Sequence, residues 1–157
     1  MTDYIGTGIS NFKELIQFLD TRAKSKDLVQ NNLLREMRDN LLLLEHRNNE
    51  GVDKKELTNV LEAKAIDAAF EKNFHFNQLV NNKKLSTEHL LDPQQTKYLG
   101  WDAKRFIYSI EGKIKELKKL FAIYPDMTNA PVNITQRYNN LFNQLLQFSA
   151  FIYGIRK

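Results

Sequence analysis

The sequence predicts an all-α protein, a single helical bundle of about five helices over residues 1–157. The first observation is that six Gly and three Pro are few for a sandwich or barrel, which needs turn residues between its many strands. The second is an apolar content of 42%, too high for a disordered chain. The third is that apolar residues recur every three or four positions, which places them on one helix face.

The first two predicted helices cover about 11–24 and 28–49. Ser10 is expected to cap the first, and Ser25 or Asp27 the second, because their side-chain oxygens can accept hydrogen bonds from the first free N–H groups. The second helix carries an apolar seam with a 3-4-3 spacing, formed by Leu34, Met37, Leu41 and Leu44. Gly51 is expected to follow its last turn with a positive φ.

The third predicted helix runs without interruption over 54–80 and would be about 40 Å long. Asp53 and Glu56 have the spacing of a capping box at its start. The following stretch, about 81–100, is expected to be an irregular connection with one short helical turn between Thr87 and Leu91. Connections of this length are uncommon in compact bundles, so it is expected to pack on the core or to carry function.

The last two predicted helices cover about 103–124 and 134–153, in a mostly up-down bundle. Asp102 is expected to cap the fourth and Pro125 to end it, since Pro lacks a backbone N–H. Gly154 is expected to stop the fifth. Gly112 lies inside the fourth helix, where Gly costs about 1 kcal/mol relative to Ala, and it suggests that a neighbour approaches closely there.

Composition narrows the classes of chemistry. There is no Cys, so thiolate catalysis and Cys-based metal sites are excluded. The three His residues form no local metal motif, and no Gly-rich phosphate loop is present, so no metal or cofactor is expected. The N-terminal segment lacks a signal-peptide pattern and no apolar run is long enough to span a membrane, which indicates a cytoplasmic protein.

The net charge of +4 is unevenly distributed. Residues 101–157 hold nine basic and four acidic residues, whereas 1–100 hold 14 and 15. Lys115, Lys118 and Lys119 form a basic group on the fourth helix and are candidates for binding an anion. A solvated helix face is the more ordinary interpretation, and a nucleic-acid partner has weak support.

One pair of residues suggests RNA cleavage. Arg38 and His46 lie eight positions apart on the second helix and differ by roughly 80° around its axis, so both can border one groove. Arg can hold a phosphate and His can move a proton. In size and helix number the chain resembles small bacterial HEPN-type domains, which cleave RNA with an Arg and a His that have four to six residues between them. Seven residues separate Arg38 and His46, so the resemblance is limited to architecture.

The last helix is apolar on more than one side. Such a helix is either the centre of the bundle or carries an interface on its outer stripe. The second interpretation makes Phe148, Phe151, Ile152 and Tyr153 the candidate partner-binding residues. It also predicts a non-enzymatic interaction or regulatory module of a bacterial or phage-type protein, which self-associates or docks a protein partner through this helix.

Two alternatives remain beside that function. One is an RNA-directed nuclease of the toxin or defence type that uses Arg38 and His46. The other is a ligand-binding bundle whose pocket lies near Tyr98 and Trp101, beneath the irregular connection. A helical bundle hosts unrelated functions, so the fold class does not choose among them.

Overall fold

The computed structural model describes residues 11–126 and 130–155 and confirms an all-helical bundle. Its α-helices are α1 (Phe12–Arg22), α2 (Leu28–Glu45), α3 (Lys54–Val60), α4 (Lys64–Glu71), α5 (Ala103–Ile123) and α6 (Ile134–Ile155). Three short 3-10 segments, Phe76–Val80, Thr87–His89 and Thr96–Tyr98, lie between α4 and α5. The described residues contain no strand.

The helix α6 lies at the centre of the bundle. It contacts α1, α2 and α5, and also the first two 3-10 segments. Its apolar side chains are buried on several sides, and its polar Gln144, Gln147 and Ser149 are buried with them. Each of these three has a hydrogen-bond partner inside the protein, as a buried polar group requires.

The caps explain where the helices begin. Asn11 Oδ1 accepts from the Glu14 N–H at 2.9 Å, so Asn11 caps α1, while Ser10 lies outside the described residues. Asp27, one of the two predicted candidates, caps α2 through the Gln30 N–H. Asp102 caps α5 as predicted, through the Arg105 N–H. These short polar side chains satisfy N–H groups that the helix itself leaves free.

The predicted helix 54–80 is wrong. The chain forms α3, breaks at 61–63, forms α4, turns at Asn73 with a φ of 54°, and ends in the 3-10 segment Phe76–Val80. The break is held from α2. Asn40 Nδ2 donates to the Glu62 carbonyl at 2.8 Å, and the Glu62 N–H donates to Asn40 Oδ1 at 3.1 Å. A side chain that is far away in sequence therefore takes the hydrogen bonds that a continuous helix would have made internally.

Two glycine predictions also need correction. α6 continues through Gly154 to Ile155, so Gly154 does not end it. A Cβ on Gly154 would lie 3.1 Å from His89 Cδ2, so the small residue serves the packing of His89 against α6. The prediction of a close neighbour at Gly112 is also wrong. A Cβ there would meet nothing within 4 Å, so no neighbour among the described residues approaches it closely.

The predicted end of the second helix is also too late. α2 ends at Glu45, and Gly51, with its φ of 81°, lies in a turn several residues further on.

The connection 81–100 is packed on the bundle. Of the five residues expected to pack there, Leu85, Leu90, Leu91 and Tyr98 are buried, whereas Leu99 is 38% exposed. Gln147 of α6 anchors the segment, because its Oε1 accepts from the Leu91 N–H at 3.0 Å and its Nε2 donates to the His89 carbonyl at 2.7 Å. The residues there form two 3-10 segments, Thr87–His89 and Thr96–Tyr98.

Candidate functional site

An open groove of about 830 Å³ runs along α2, and two further concavities of about 490 and 120 Å³ are smaller. One face of α2 forms the first wall of the groove, and the end of α3, the break and α4 form the second. Its lining residues are Asn32, Arg35, Glu36, Asp39, Asn40, Leu42, Leu43, His46, Val60, Glu62, Lys64, Ala65 and Ala68. The lining residues on α2, from Asn32 to Leu43, span 12 positions, which corresponds to about 17 Å of helix.

The groove presents apolar side chains to solvent. Leu42 is 40% exposed on the α2 wall, and Val60 is 51% exposed where α3 ends. Ala65 and Ala68 on α4 are small, so a partner can approach the backbone of that helix closely. A row of apolar groups along a concave surface is typical of a surface that binds another molecule.

Glu36 lies in the floor of the groove and is 9% exposed. Its Oε2 accepts from the Ala65 N–H at 2.7 Å, which satisfies the first turn of α4 from a different helix. Its Oε1 is buried and has no hydrogen-bond partner among the described residues. Burial raises the pKa of Glu36 to about 7, although the N–H groups of Ala65 and Ile66 favour the charged form. The nearby Glu62 and Asp67 raise this pKa further.

The rim of the groove carries both signs of charge. Arg35 and Lys64 are basic, and Asp39 and Glu62 are acidic. Lys64 and Glu62 form an exposed ion pair at 3.6 Å, while Arg35 Nη2 donates to the Ala23 carbonyl at 3.3 Å. The rim therefore has no net charge from these four groups.

Arg38 and His46 are not brought together. Arg38 forms ion pairs with Asp20 of α1 and with Asp39, and it does not line the groove. His46 lines the groove at the end of α2, where its Nδ1 lies 2.9 Å from Asn49 Nδ2. No hydrogen bond or ion pair joins the two side chains in the described part of the chain. Arg38 and His46 are therefore held by different partners, Arg38 by Asp20 and Asp39 and His46 by Asn49.

The four candidate partner-binding residues are buried within the chain itself. Phe148, Phe151, Ile152 and Tyr153 are between 0 and 4% exposed. Phe148 stacks on Phe106 of α5 with the ring centroids 5.1 Å apart, and Tyr153 packs edge-on against Phe18 of α1. Of the two interpretations of the last helix, the structure supports the one that places this helix at the centre of the bundle.

Two of the three candidate anion-binding lysines make contacts within the bundle. Lys115 pairs with Asp67 of α4 at 2.9 Å and with Glu111 at 3.5 Å. Lys118 Nζ donates to the Asn59 carbonyl near the end of α3 at 3.2 Å. Lys119 is exposed. Lys115 and Lys118 therefore join α5 to α4 and α3.

The aromatic residues near the connection fill space among themselves. Tyr98 packs edge-on against Trp101 with the centroids 5.0 Å apart, and both rings contact Phe106. The Arg105 guanidinium covers the Trp101 ring at 4.2 Å. Neither the groove nor the two smaller concavities are lined by Tyr98 or Trp101.

The sequence contains a weak signal for the groove that the predictions did not use. Asn32, Glu36 and Asn40 recur every four residues beside the apolar seam of α2, which places them in one row along the helix. Such a row is usually solvated. Only the position of α4 shows that Glu36 and Asn40 are buried and bind the backbone of another segment.

Comparison of the chain with protein-family models, with curated proteins and with solved structures finds no match. No helix among the described residues has the length and apolar character needed to cross a membrane. Within residues 11–126 and 130–155, no group of three or more His, Asp or Glu side chains is placed to hold a metal ion. The groove along α2 is the candidate site on geometric grounds.

Proposed function

We propose that this protein is a non-enzymatic interaction module that self-associates in the cytoplasm, with the groove face of one copy packed against that of a second. The observation that carries the proposal is the exposure of Leu42 and Val60 on the two walls of one groove. In an isologous contact, the apolar side chains of each copy enter the groove of the other, and both surfaces lose water. The absence of Cys is in keeping with the compartment.

The balanced rim supports a second copy as the occupant. A surface that packs on itself about a two-fold axis must be complementary to itself, so it needs both signs of charge. Arg35 and Lys64 on one copy can face Asp39 and Glu62 on the other. A partner with a strong net charge would gain little from this rim, because its attraction to one pair is offset by repulsion from the other.

The groove replaces α6 as the proposed contact surface. Phe148, Phe151, Ile152 and Tyr153 of α6 lie in the core, and exposing them would cost the packing of α1 and α5 on α6. Leu42 is already exposed, so its burial in a contact requires no rearrangement of the bundle.

The test is the association state of matched variants by sedimentation equilibrium over a wide concentration range. Leu42→Glu introduces a charge into the groove, and Leu28→Glu introduces the same charge on α2 outside it, where Leu28 is 72% exposed. We expect the wild type and Leu28→Glu to dimerise, and Leu42→Glu to dissociate at least 30-fold more readily, about 2 kcal/mol. A wild type that stays monomeric at millimolar concentration, or equal dimerisation of both variants, contradicts the proposal.

A further inference from the structure

A second row of polar residues lies between α5 and α6, away from the groove. At one end, Ser109 Oγ donates to Gln144 Oε1 at 3.1 Å, and Gln144 Nε2 donates back to the same hydroxyl at 2.9 Å. At the other end, Arg137 forms an ion pair with Glu116. Because Ser109 pairs with Gln144 and Glu116 with Arg137, α5 and α6 run antiparallel. Lys113 of α5 occupies the middle of this row, opposite Asn140 of α6.

A small cavity of about 120 Å³ lies at this central position. It is lined by Lys113, Glu116, Leu117, Arg137 and Asn140. Its volume is about four times the ~30 Å³ that one water molecule takes up in the liquid. This is enough room for an anion of five heavy atoms and too little for a nucleotide.

The charge of Lys113 is poorly compensated. Its side chain is half-buried, and its Nζ donates to Ser109 Oγ at a long 3.3 Å. No carboxylate lies within ion-pair distance of this ammonium in the described part of the chain. Glu116, the nearby acid, is bound by Arg137. Burial lowers the pKa of Lys113, and the positive charges of Lys97 and Arg137 lower it further, while Glu116 opposes them.

We propose that this cavity binds a small tetrahedral oxyanion of the phosphate class, with Lys113 as the main contact and Arg137 and Asn140 as further donors. Lys carries three N–H donors, and Lys113 uses one of them on a neutral hydroxyl, so it has donors left for an anion. An ammonium that is partly removed from water is stabilised by an opposite charge, and N–H donors to phosphate oxygens form strong charge-assisted bonds.

The anion would also relieve repulsion among the surrounding cations. Lys113 and Arg137 line the cavity with the acid Glu116, and the positive charge of Lys97 acts on Lys113 from outside that lining. The site is distinct from Lys115 and Lys118, whose charged groups contact α4 and α3. It also lies outside the lining of the groove along α2, so its test is independent of self-association.

The experiment is calorimetric titration of the full chain with inorganic phosphate, with total ionic strength held constant by sodium chloride. Lys113→Met removes the ammonium and keeps an apolar stem of similar length, whereas Lys119→Met makes the same change at an exposed position on the same helix. We expect saturable binding by the wild type and by Lys119→Met, and at least tenfold weaker binding by Lys113→Met. Lys113→Arg should restore part of the affinity, because it restores the charge.

A second variant guards against an indirect effect on folding. Asn140→Leu leaves all charges in place and removes one donor, so a two- to fivefold loss of affinity is expected with an unchanged helical circular dichroism spectrum. Glycerol phosphate serves as a second probe. Binding of inorganic phosphate alone assigns the site to the free anion, and binding of both probes assigns it to a terminal phosphate. Absence of binding by either probe, or equal weakening by Lys113→Met and Lys119→Met, overturns the proposal.

Discussion

The segment 54–80 and the helix α5 have similar apolar patterns but fold differently. The segment 54–80 contains neither Gly nor Pro, yet it breaks after α3 and again after α4. α5 contains Gly112 and still forms a single helix of 21 residues. Helix propensity alone would favour the opposite result, since Gly is the residue that costs about 1 kcal/mol in a helix interior.

The difference lies in what the neighbouring helices offer. α2 presents Asn40 and Glu36 to the backbone at 61–65, and these side chains satisfy three backbone groups there. α5 buries an uninterrupted apolar stripe formed by Phe106, Ile110, Ile114, Leu117 and Phe121. A helix is interrupted where tertiary hydrogen bonds replace its own, and it tolerates a weak position where its apolar face remains packed.

The largest loss of stability is expected when the amide of Asn40 is removed. In Asn40→Leu, the N–H and C=O of Glu62 lose the partners that Asn40 supplies. We expect a loss of about 2–3 kcal/mol in the free energy of unfolding, measured by urea denaturation. Asn48→Leu, at an exposed position after α2, should change it by less than about 0.5 kcal/mol. A loss below about 1 kcal/mol in Asn40→Leu would mean that Asn40 does not hold the break.

The next effect concerns Glu36 and pH. The pKa of Glu36 is about 7 in the folded protein, above the ordinary carboxyl value of 4.5. The folded state therefore binds the proton of the Glu36 carboxyl more tightly than the unfolded state does. The stabilisation that this proton gives is lost as pH rises from about 5 to 8. Glu36→Gln can still accept the Ala65 N–H but does not titrate. Between pH 5 and pH 8, its free energy of unfolding should therefore decrease by roughly 2 kcal/mol less than that of the wild type.

Denaturation curves at pH 5 and pH 8 measure this difference. Glu45→Gln is the matched control, because Glu45 is exposed on the same helix and should keep the wild-type dependence. Parallel stability curves for Glu36→Gln and the wild type would show that Glu36 titrates as it does in the unfolded chain.

A smaller effect of opposite sign is expected in α5. Gly112→Ala adds a Cβ that meets no atom within 4 Å, so it gains helix propensity without a clash. The free energy of unfolding should rise by about 1 kcal/mol, which thermal denaturation would detect as an increased Tm. A decrease in Tm would indicate that another molecule packs at Gly112 in solution.

The smallest effect is expected at the contact between α5 and the end of α3. Lys118→Met removes the exposed hydrogen bond from Nζ to the Asn59 carbonyl and keeps the apolar stem. We expect a loss of a few tenths of a kcal/mol, because water replaces an exposed donor at little cost. A loss above about 1 kcal/mol, measured by urea denaturation, would show that the break at 61–63 depends on α5 as well as on α2.

The candidate site shows how far single-sequence reasoning extends. The pattern placed α2 and its seam correctly, because Leu34, Met37, Leu41 and Leu44 are all buried. The adjacent row of Asn32, Glu36 and Asn40 was not predicted to form a site, because polar residues at helical spacing are equally typical of a solvated helix face. The burial of Glu36 and Asn40 depends on where α4 lies, and α4 lies there because the chain breaks at 61–63.

The sequence by itself determined the fold class, most of the caps and the apolar faces of α1, α2, α5 and α6, because these depend on periodicity and on neighbours a few residues away. The tertiary structure alone decided that 54–71 is two helices and that α6 is the buried centre. It also decided that Lys113 faces a small cavity. These features depend on contacts between residues that are distant in sequence, and a local pattern contains no information about which partner satisfies a buried polar group.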